Sequence, residues 1–421
     1  MKKRYFFRMR GAYAGELAAV GVAVGVAVLV AVGFALSPAF AWASDEPGPL
    51  PRPAARQACQ SVSRWTCEVA HALGRGVNLG NALDAPREGD WGLRLEPELL
   101  DRASRHFQTV RLPVRWSNHA SADAQARLDE GFARRVDAVI DRLLAGGGFV
   151  ILDMHHYKQL TGGPRHPNEF AVDPAVAEAR LVNLWRQIAA RYRDRPPRLL
   201  FELLNEPEGE ARDALGDVSG LASRDRSGAA FGAASAATST AAPARALGGV
   251  RWNRLAARAL AAVRETNPER VVLIGPDDWN HPRGLIRLRL PPDRHLIVAI
   301  HSYDPFDFTH QGVPWRQPVL PLGRPCCDAA QRQTLREALD TATAWSRTTG
   351  VPLHLGEFGA YREAPMESRA AYARMVREEA EARGIGWAWW EFASDFSPVW
   401  DAGKGQWVEP LRRALGIVLS P

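Results

Sequence analysis

Short apolar runs alternate with longer amphipathic stretches through most of this chain. Runs of strand length occupy residues 76–80, 109–113, 149–154, 199–204, 271–275, 296–300, 352–356 and 386–390. Several are continuously apolar rather than alternating, the pattern of strands buried on both faces of a parallel sheet. Between them, residues 132–144, 182–192, 252–265, 334–348 and 369–383 carry apolar side chains at helical spacing. Eight strands with helices between them predict an α/β fold, a closed (β/α)8 barrel of the TIM type rather than an open sheet.

Three segments stand outside this rhythm. At the start, Lys2, Lys3, Arg4, Arg8 and Arg10 precede an apolar run over residues 17–36, and Ala41-Trp42-Ala43 before Ser44 forms a small-x-small cleavage site. Residues 1–43 therefore read as an export signal. The apolar run is nearly long enough to span a bilayer, so an uncleaved membrane anchor is the alternative. Either way the body of the protein is expected to be exported, secreted or periplasmic. Residues 44–57 are Pro-rich and read as a tether, leaving 58–421 as one domain. Residues 209–249, rich in Ala, Ser, Gly and Thr, offer little to bury and are expected to form a mobile insertion after the fourth strand.

With 421 residues, 46% of them hydrophobic, the chain can bury a large single core. The net charge of +6 invites a nucleic-acid reading. Five positive charges and one negative, Glu16, lie ahead of Ser44, however, and without them the net charge is only +2. No nucleic-acid partner is expected of a body so nearly neutral. The 14 Trp point instead to flat aromatic faces of the kind that bind neutral sugars. In an oxidising compartment, Cys59 and Cys67 could staple the N-terminal segment. The adjacent Cys326 and Cys327 are not expected to bridge each other, and no CxxC spacing suggests zinc.

In such barrels, polar residues just beyond the C-terminal ends of the strands gather at one mouth. Here the first strand is followed by Asn78, Asn81 and Asp84, the second carries Arg111, and the third leads into Asp153-Met154-His155-His156-Tyr157. The fourth ends in Asn205-Glu206-Pro207, the sixth in His301-Ser302-Tyr303, the seventh in Glu357-Phe358-Gly359 and the eighth in Trp389-Trp390-Glu391. Singly, each has an ordinary structural explanation; together they describe one polar pocket. Of Trp389 and Trp390 only one can face it, because successive strand residues point to opposite sides. Trp91 and Trp116 read as packing or rim residues, and Glu208 as solvated.

Glu206 and Glu357 lie on strands that face each other across a barrel mouth. Two carboxyls about 5 Å apart are what hydrolysis of a glycosidic bond with retention requires, one protonating the leaving oxygen and one attacking. Arg111 is the cation expected to keep Glu357 ionised, and mutual repulsion between the two carboxylates is expected to keep Glu206 protonated. A metal-dependent hydrolase using His155, His156 and His301 is a remote alternative. Strand one offers Asn78 and Asn81 in place of a His-x-His pair, so no metal or other cofactor is expected.

The segments RGVNLGNALDAP, VRLPVRW, DMHHY, ELLNEP, HSYDPFDFTHQG, LGEFGAY and WAWWEF resemble glycoside hydrolase family five, over roughly residues 74–415. That resemblance implies a retaining double displacement with Glu206 as acid/base and Glu357 as nucleophile. It further implies that Arg111, His155, Asn205, His301 and Tyr303 support the two carboxylates and that Trp390 is the sugar platform. GNALDAP together with FTHQGVPW is similar to an endoglucanase subgroup, which implies that Asn81, Asp84, His156, His310 and Trp315 line the substrate cleft. That subgroup typically carries Glu where Asp84 stands. The implied activity is endo-β-1,4-glucanase, by a monomer acting on β-glucan, with β-mannan or mixed-linkage glucan as alternatives.

Overall fold

The computed structural model describes residues 57–161, 170–208 and 247–419. The leader, nearly all of the tether, and residues 209–246 of the insertion lie outside the described residues. Eight parallel strands close into a barrel in sequence order: β1 (Arg75–Asn78), β2 (Thr109–Val114), β3 (Phe149–Met154), β4 (Leu199–Glu202), β5 (Val272–Ile274), β6 (Leu296–His301), β7 (Leu353–Phe358) and β8 (Gly386–Trp389). β8 pairs with β1 and completes the ring.

The helices are α1 (Arg64–Ala72), α2 (Pro97–His106), α3 (Glu130–Ala145), the short α4 (Lys158–Thr161), α5 (Pro174–Tyr192), α6 (Gly249–Arg264), the short α7 (Phe306–Thr309), α8 (Ala329–Thr349), α9 (Met366–Ala382) and α10 (Glu409–Ala414). Their starts are written locally. Asp129 accepts from the Phe132 amide at 2.7 Å to cap α3. Asp328 and Gln331 cap α8 reciprocally, which satisfies two of the amides that a helix start leaves bare. α2 escaped the periodicity because only Leu99, Leu100 and Ala103 of its residues are buried. After β5 the chain makes a 3₁₀ turn, Pro282–Ile286.

Inward-facing residues of the strands stack in two layers. Ile151, Leu200, Leu273, Ile297 and Ala299 form an apolar layer against Val69, Ala70 and Leu73 of α1 and its C-cap. Two residues on from Ile151, Leu200 and Ala299, on the same face of each strand, stand Asp153, Glu202 and His301, all buried. The polar layer thus rests directly on an apolar one.

β7 reaches that layer by an irregularity. Ile300 pairs with Leu355 but His301 pairs with Glu357, so the register skips one residue. Such a bulge re-aims the side chains beyond it. Leu353 and Leu355 pack outward with the helices, whereas Glu357 turns into the mouth.

Two expectations change. Cys59 and Cys67 are bonded as anticipated, but Cys326 and Cys327 are also bonded to each other. The peptide between them is cis, and their Cα atoms lie 3.1 Å apart. The folded barrel also resumes earlier than the 209–249 boundary suggested: Leu247 is buried in the core, and the Gly249 amide donates to Asp277 at 2.8 Å where α6 begins.

Candidate active site

Arg111 on β2 is fully buried at the centre of the polar layer. Its Nε and Nη2 donate to the two oxygens of Glu202 at 2.7 and 3.1 Å. Nη2 also donates to Asn205 Oδ1 at 2.9 Å and lies 3.1 Å from Asp153 Oδ2. Nη1 donates to Asn78 Oδ1 at 3.0 Å and to Glu357 Oε1 at 2.7 Å. Asn78 is itself fixed by donating to the Gly356 carbonyl at 2.9 Å. The expected pairing of Arg111 with Glu357 is therefore present.

Glu357 is further held by the Tyr303 hydroxyl, which donates to Oε2 at 2.9 Å. Glu206 sits across the mouth with Oε1 2.9 Å from His301 Nδ1. One carboxylate oxygen of Glu206, one of Glu357 and a ring nitrogen of His301 all lie within 4.8 Å of one another.

Burial raises the Glu206 carboxyl to about 7, against the pull of Arg111 and Lys158. The cause differs from the one expected: desolvation comes first, and the negative charge that adds to it is that of Glu202. Burial also moves Glu357 upward, opposed by His301, Arg111 and the Tyr303 hydrogen bond. Burial lowers His301 to about 4, so its ring is neutral at neutral pH.

On one flank, His155 donates to or accepts from Asp153 at 2.5 Å and lies parallel to the Trp390 ring, centroids 5.5 Å apart. Trp390, not Trp389, faces the cleft. Trp389 is buried and donates to the Ser397 carbonyl at 2.8 Å. A Cβ on Gly80 would lie 2.6 Å from the Trp390 ring, so this glycine makes room for the indole. His156 approaches Asp84 at 3.6 Å and meets Trp91 edge-on. Asn81 donates to Ser394 at 2.6 Å. On the other flank, His310 stacks on Phe306 at 4.0 Å and meets Tyr303 edge-on. Trp315, 66% exposed, leans on Tyr361 and Phe396. Trp116 is core, and Glu208 is half-buried near Lys158 rather than solvated.

Three site residues were missed by the sequence reading. Glu202 lay hidden inside the apolar run of β4. Asn280, after β5, brings its side-chain nitrogen to 3.4 Å from His301 Nε2, and its carbonyl accepts from the His301 amide at 2.9 Å. It closes a run of three left-handed residues, Asp278, Trp279 and Asn280, at φ 70, 56 and 58°. Glu391 was noted at the end of strand eight but given no role; it is buried, and desolvation raises it to about 8.

A closed (β/α)8 barrel with two acidic side chains facing each other at its mouth is an arrangement that fits hydrolysis of a glycosidic bond. Residues 90–395 match the model of the cellulase family, glycosyl hydrolase family 5, and the chain belongs to that family. A solved hyperthermophilic endo-β-1,4-glucanase in complex with substrate is similar at 34% identity and TM-score 0.70, over 83% of this chain and 98% of that one. Thermotoga maritima Cel5A in complex with mannotriose is similar at 35% identity and TM-score 0.70, over 83% and 99%. Endoglucanase H of Acetivibrio thermocellus is 28% identical over 77% of this chain, and endoglucanase A of Clostridium longisporum 28% identical over 78%. This chain spans 30% and 59% of the length of those two relatives.

Proposed function

We propose that the protein is an endo-acting, retaining β-1,4-glucanase, with Glu206 as acid/base and Glu357 as nucleophile. The observation that carries this reading is the approach of the two carboxyls, with oxygens within 4.8 Å. Retaining enzymes hold their carboxyls about 5 Å apart, whereas inverting ones leave about 6.5–9.5 Å for a water. Glu357 attacks the anomeric carbon while Glu206, protonated near neutral pH, delivers its proton to the leaving oxygen. Glu206 then takes a proton from the water that releases the glycosyl-enzyme. Arg111 and Tyr303 hold Glu357 by one hydrogen bond to each carboxylate oxygen, so little reorganisation is needed as its charge is consumed. Asn205, fixed by Arg111, is placed to meet the sugar 2-hydroxyl. Trp390 supplies the apolar platform, and Asn81, Asp84, His156, His310 and Trp315 extend the cleft on either side.

The endoglucanase names of the relatives support glucan as the substrate, and the mannotriose complex of a 35%-identical neighbour makes β-mannan the second to test. Reducing-sugar release should be greatest on carboxymethylcellulose or mixed-linkage glucan, lower on mannan and negligible on xylan. Release from xylan alone would overturn the assignment. On the best substrate, kcat/KM should fall as pH rises through about 7, where Glu206 loses its proton, and should fall again in acid as Glu357 gains one. We also propose export: the basic start, the apolar run and the Ala-x-Ala site support it, as does the Cys59–Cys67 disulfide.

A further inference from the structure

Three carboxylates crowd one guanidinium beneath the cleft, and only Glu357 among them reaches the mouth. Glu202 takes the side of Arg111 with both oxygens, Nε to Oε2 at 2.7 Å and Nη2 to Oε1 at 3.1 Å. Side-on, two-bond pairing fixes the plane of a guanidinium as well as its position. With that plane fixed, Nη1 projects to Glu357 at 2.7 Å. Glu202 is itself wholly buried, and both its oxygens accept from Arg111.

We propose that Glu202 is a positioning residue, one that orients Arg111 toward the nucleophile and, as its counter-charge, limits how strongly Arg111 stabilises the Glu357 carboxylate. The inference rests on Glu357 being the nucleophile. A carboxylate gripped by an unopposed arginine would be easy to ionise but a poor base and nucleophile. Sharing the cation with Glu202 leaves Glu357 ionised yet reactive. Consistent with this division, the Arg111 charge and hydrogen bonds outweigh burial at Glu202 and hold it below the usual carboxylate range. Asp153, buried with fewer bonds to Arg111, lies well above that range. The other groups facing Glu357 are His301 and Tyr303 at the end of β6 and Glu206 beyond β4. Those facing Glu202 are His301 and, from β7, His354. Glu202 also acts through space on His301, His354, Asp153 and Glu206, but none of these is the nucleophile, and the acid limb reports the ionisation of Glu357.

The test uses an aryl β-glycoside with an activated leaving group, whose first step does not need Glu206 as acid. Glu202→Gln removes the charge and keeps an acceptor for Arg111. Its acid limb of kcat/KM should move down by about one pH unit, with turnover at neutral pH reduced about tenfold. Glu202→Asp keeps the charge but retracts it, so turnover should fall while the acid limb stays within about 0.3 of a unit of the parent. Equal losses in both variants with the acid limb unmoved would reduce Glu202 to a structural role and overturn the proposal. Should Glu202→Gln fail to fold, an acid limb displaced downward by a unit in Glu202→Asp would overturn it equally. Labelling of the unaltered protein by a 2-deoxy-2-fluoro glycoside separates the two readings. Label on a residue other than Glu357 refutes the nucleophile assignment, whereas label on Glu357 leaves the proposal to stand or fall on the variants.

Discussion

Glu357→Gly should abolish hydrolysis of β-glucan, by roughly 10⁴-fold or more, the scale on which loss of a nucleophile is felt. The deletion leaves space beside the anomeric carbon, lined by Arg111 Nη1 and the Tyr303 hydroxyl, both of which held the lost carboxylate. Azide or formate should enter it and restore turnover of an activated aryl β-glycoside, with azide giving the α-configured product. Glu206→Ala should behave differently. With an activated leaving group it should still form the glycosyl-enzyme but hydrolyse it slowly, and azide should give the β-configured product. Products resolved by NMR assign both roles. The same anomer from both variants, or no rescue of either, would refute the double displacement.

Arg111→Met should cut kcat/KM by roughly 10²–10³-fold, because the nucleophile loses a buried charged donor that cannot be replaced by water. The damage to folding should exceed what the sequence suggested, when Glu357 was the one partner in view. Arg111 also neutralises Glu202 and lies 3.1 Å from Asp153, and stripping a buried ion pair of one member costs about 3–5 kcal/mol. The sign of the pH dependence follows. Without the cation, the folded-state pKa values of these carboxyls lie above their unfolded values, so the folded form binds more protons. Stability of the variant, relative to the parent, should then be greatest in acid and fall as pH rises past the ordinary carboxylate range. Thermal unfolding at pH 5 and pH 8 measures this, alongside kinetics at temperatures where the variant is folded. Activity surviving within a few-fold would show that Arg111 does not serve Glu357.

The barrel was legible because the strands are short apolar runs, all but the fifth ending in a polar residue, and because the intervening helices keep their apolar face. The residues past the strand ends were legible for the same reason: position along the chain predicts depth in the barrel. What failed was whatever depended on register or on unsignalled backbone geometry. Glu357 shares the strand parity of Leu353 and Leu355, which face the helices, and only the bulge at Gly356 turns it inward. Glu202 was concealed because a single carboxylate inside Leu-Leu-Phe-Glu-Leu-Leu does not announce a buried arginine on another strand. Asn280 was concealed because its loop takes left-handed conformations without a glycine to mark them. The raised Glu206 carboxyl was expected, but its chief cause, burial, depends on surroundings that no spacing reveals.

Glu206 itself has a left-handed backbone, φ 46°. For a residue with a side chain that conformation costs about 1–2 kcal/mol, and glycine enters it freely. The extra chain entropy of an unfolded glycine takes back only about 0.4–1 kcal/mol, and the desolvated carboxyl would vanish as well. On backbone grounds glycine is therefore better suited to this position than the proposed acid/base, whose side chain is held there by His301. A laboratory lineage selected for heat resistance alone would drift toward Glu206→Gly and lose its activity on the way, so thermostabilising this enzyme requires every round of selection to be scored on turnover too.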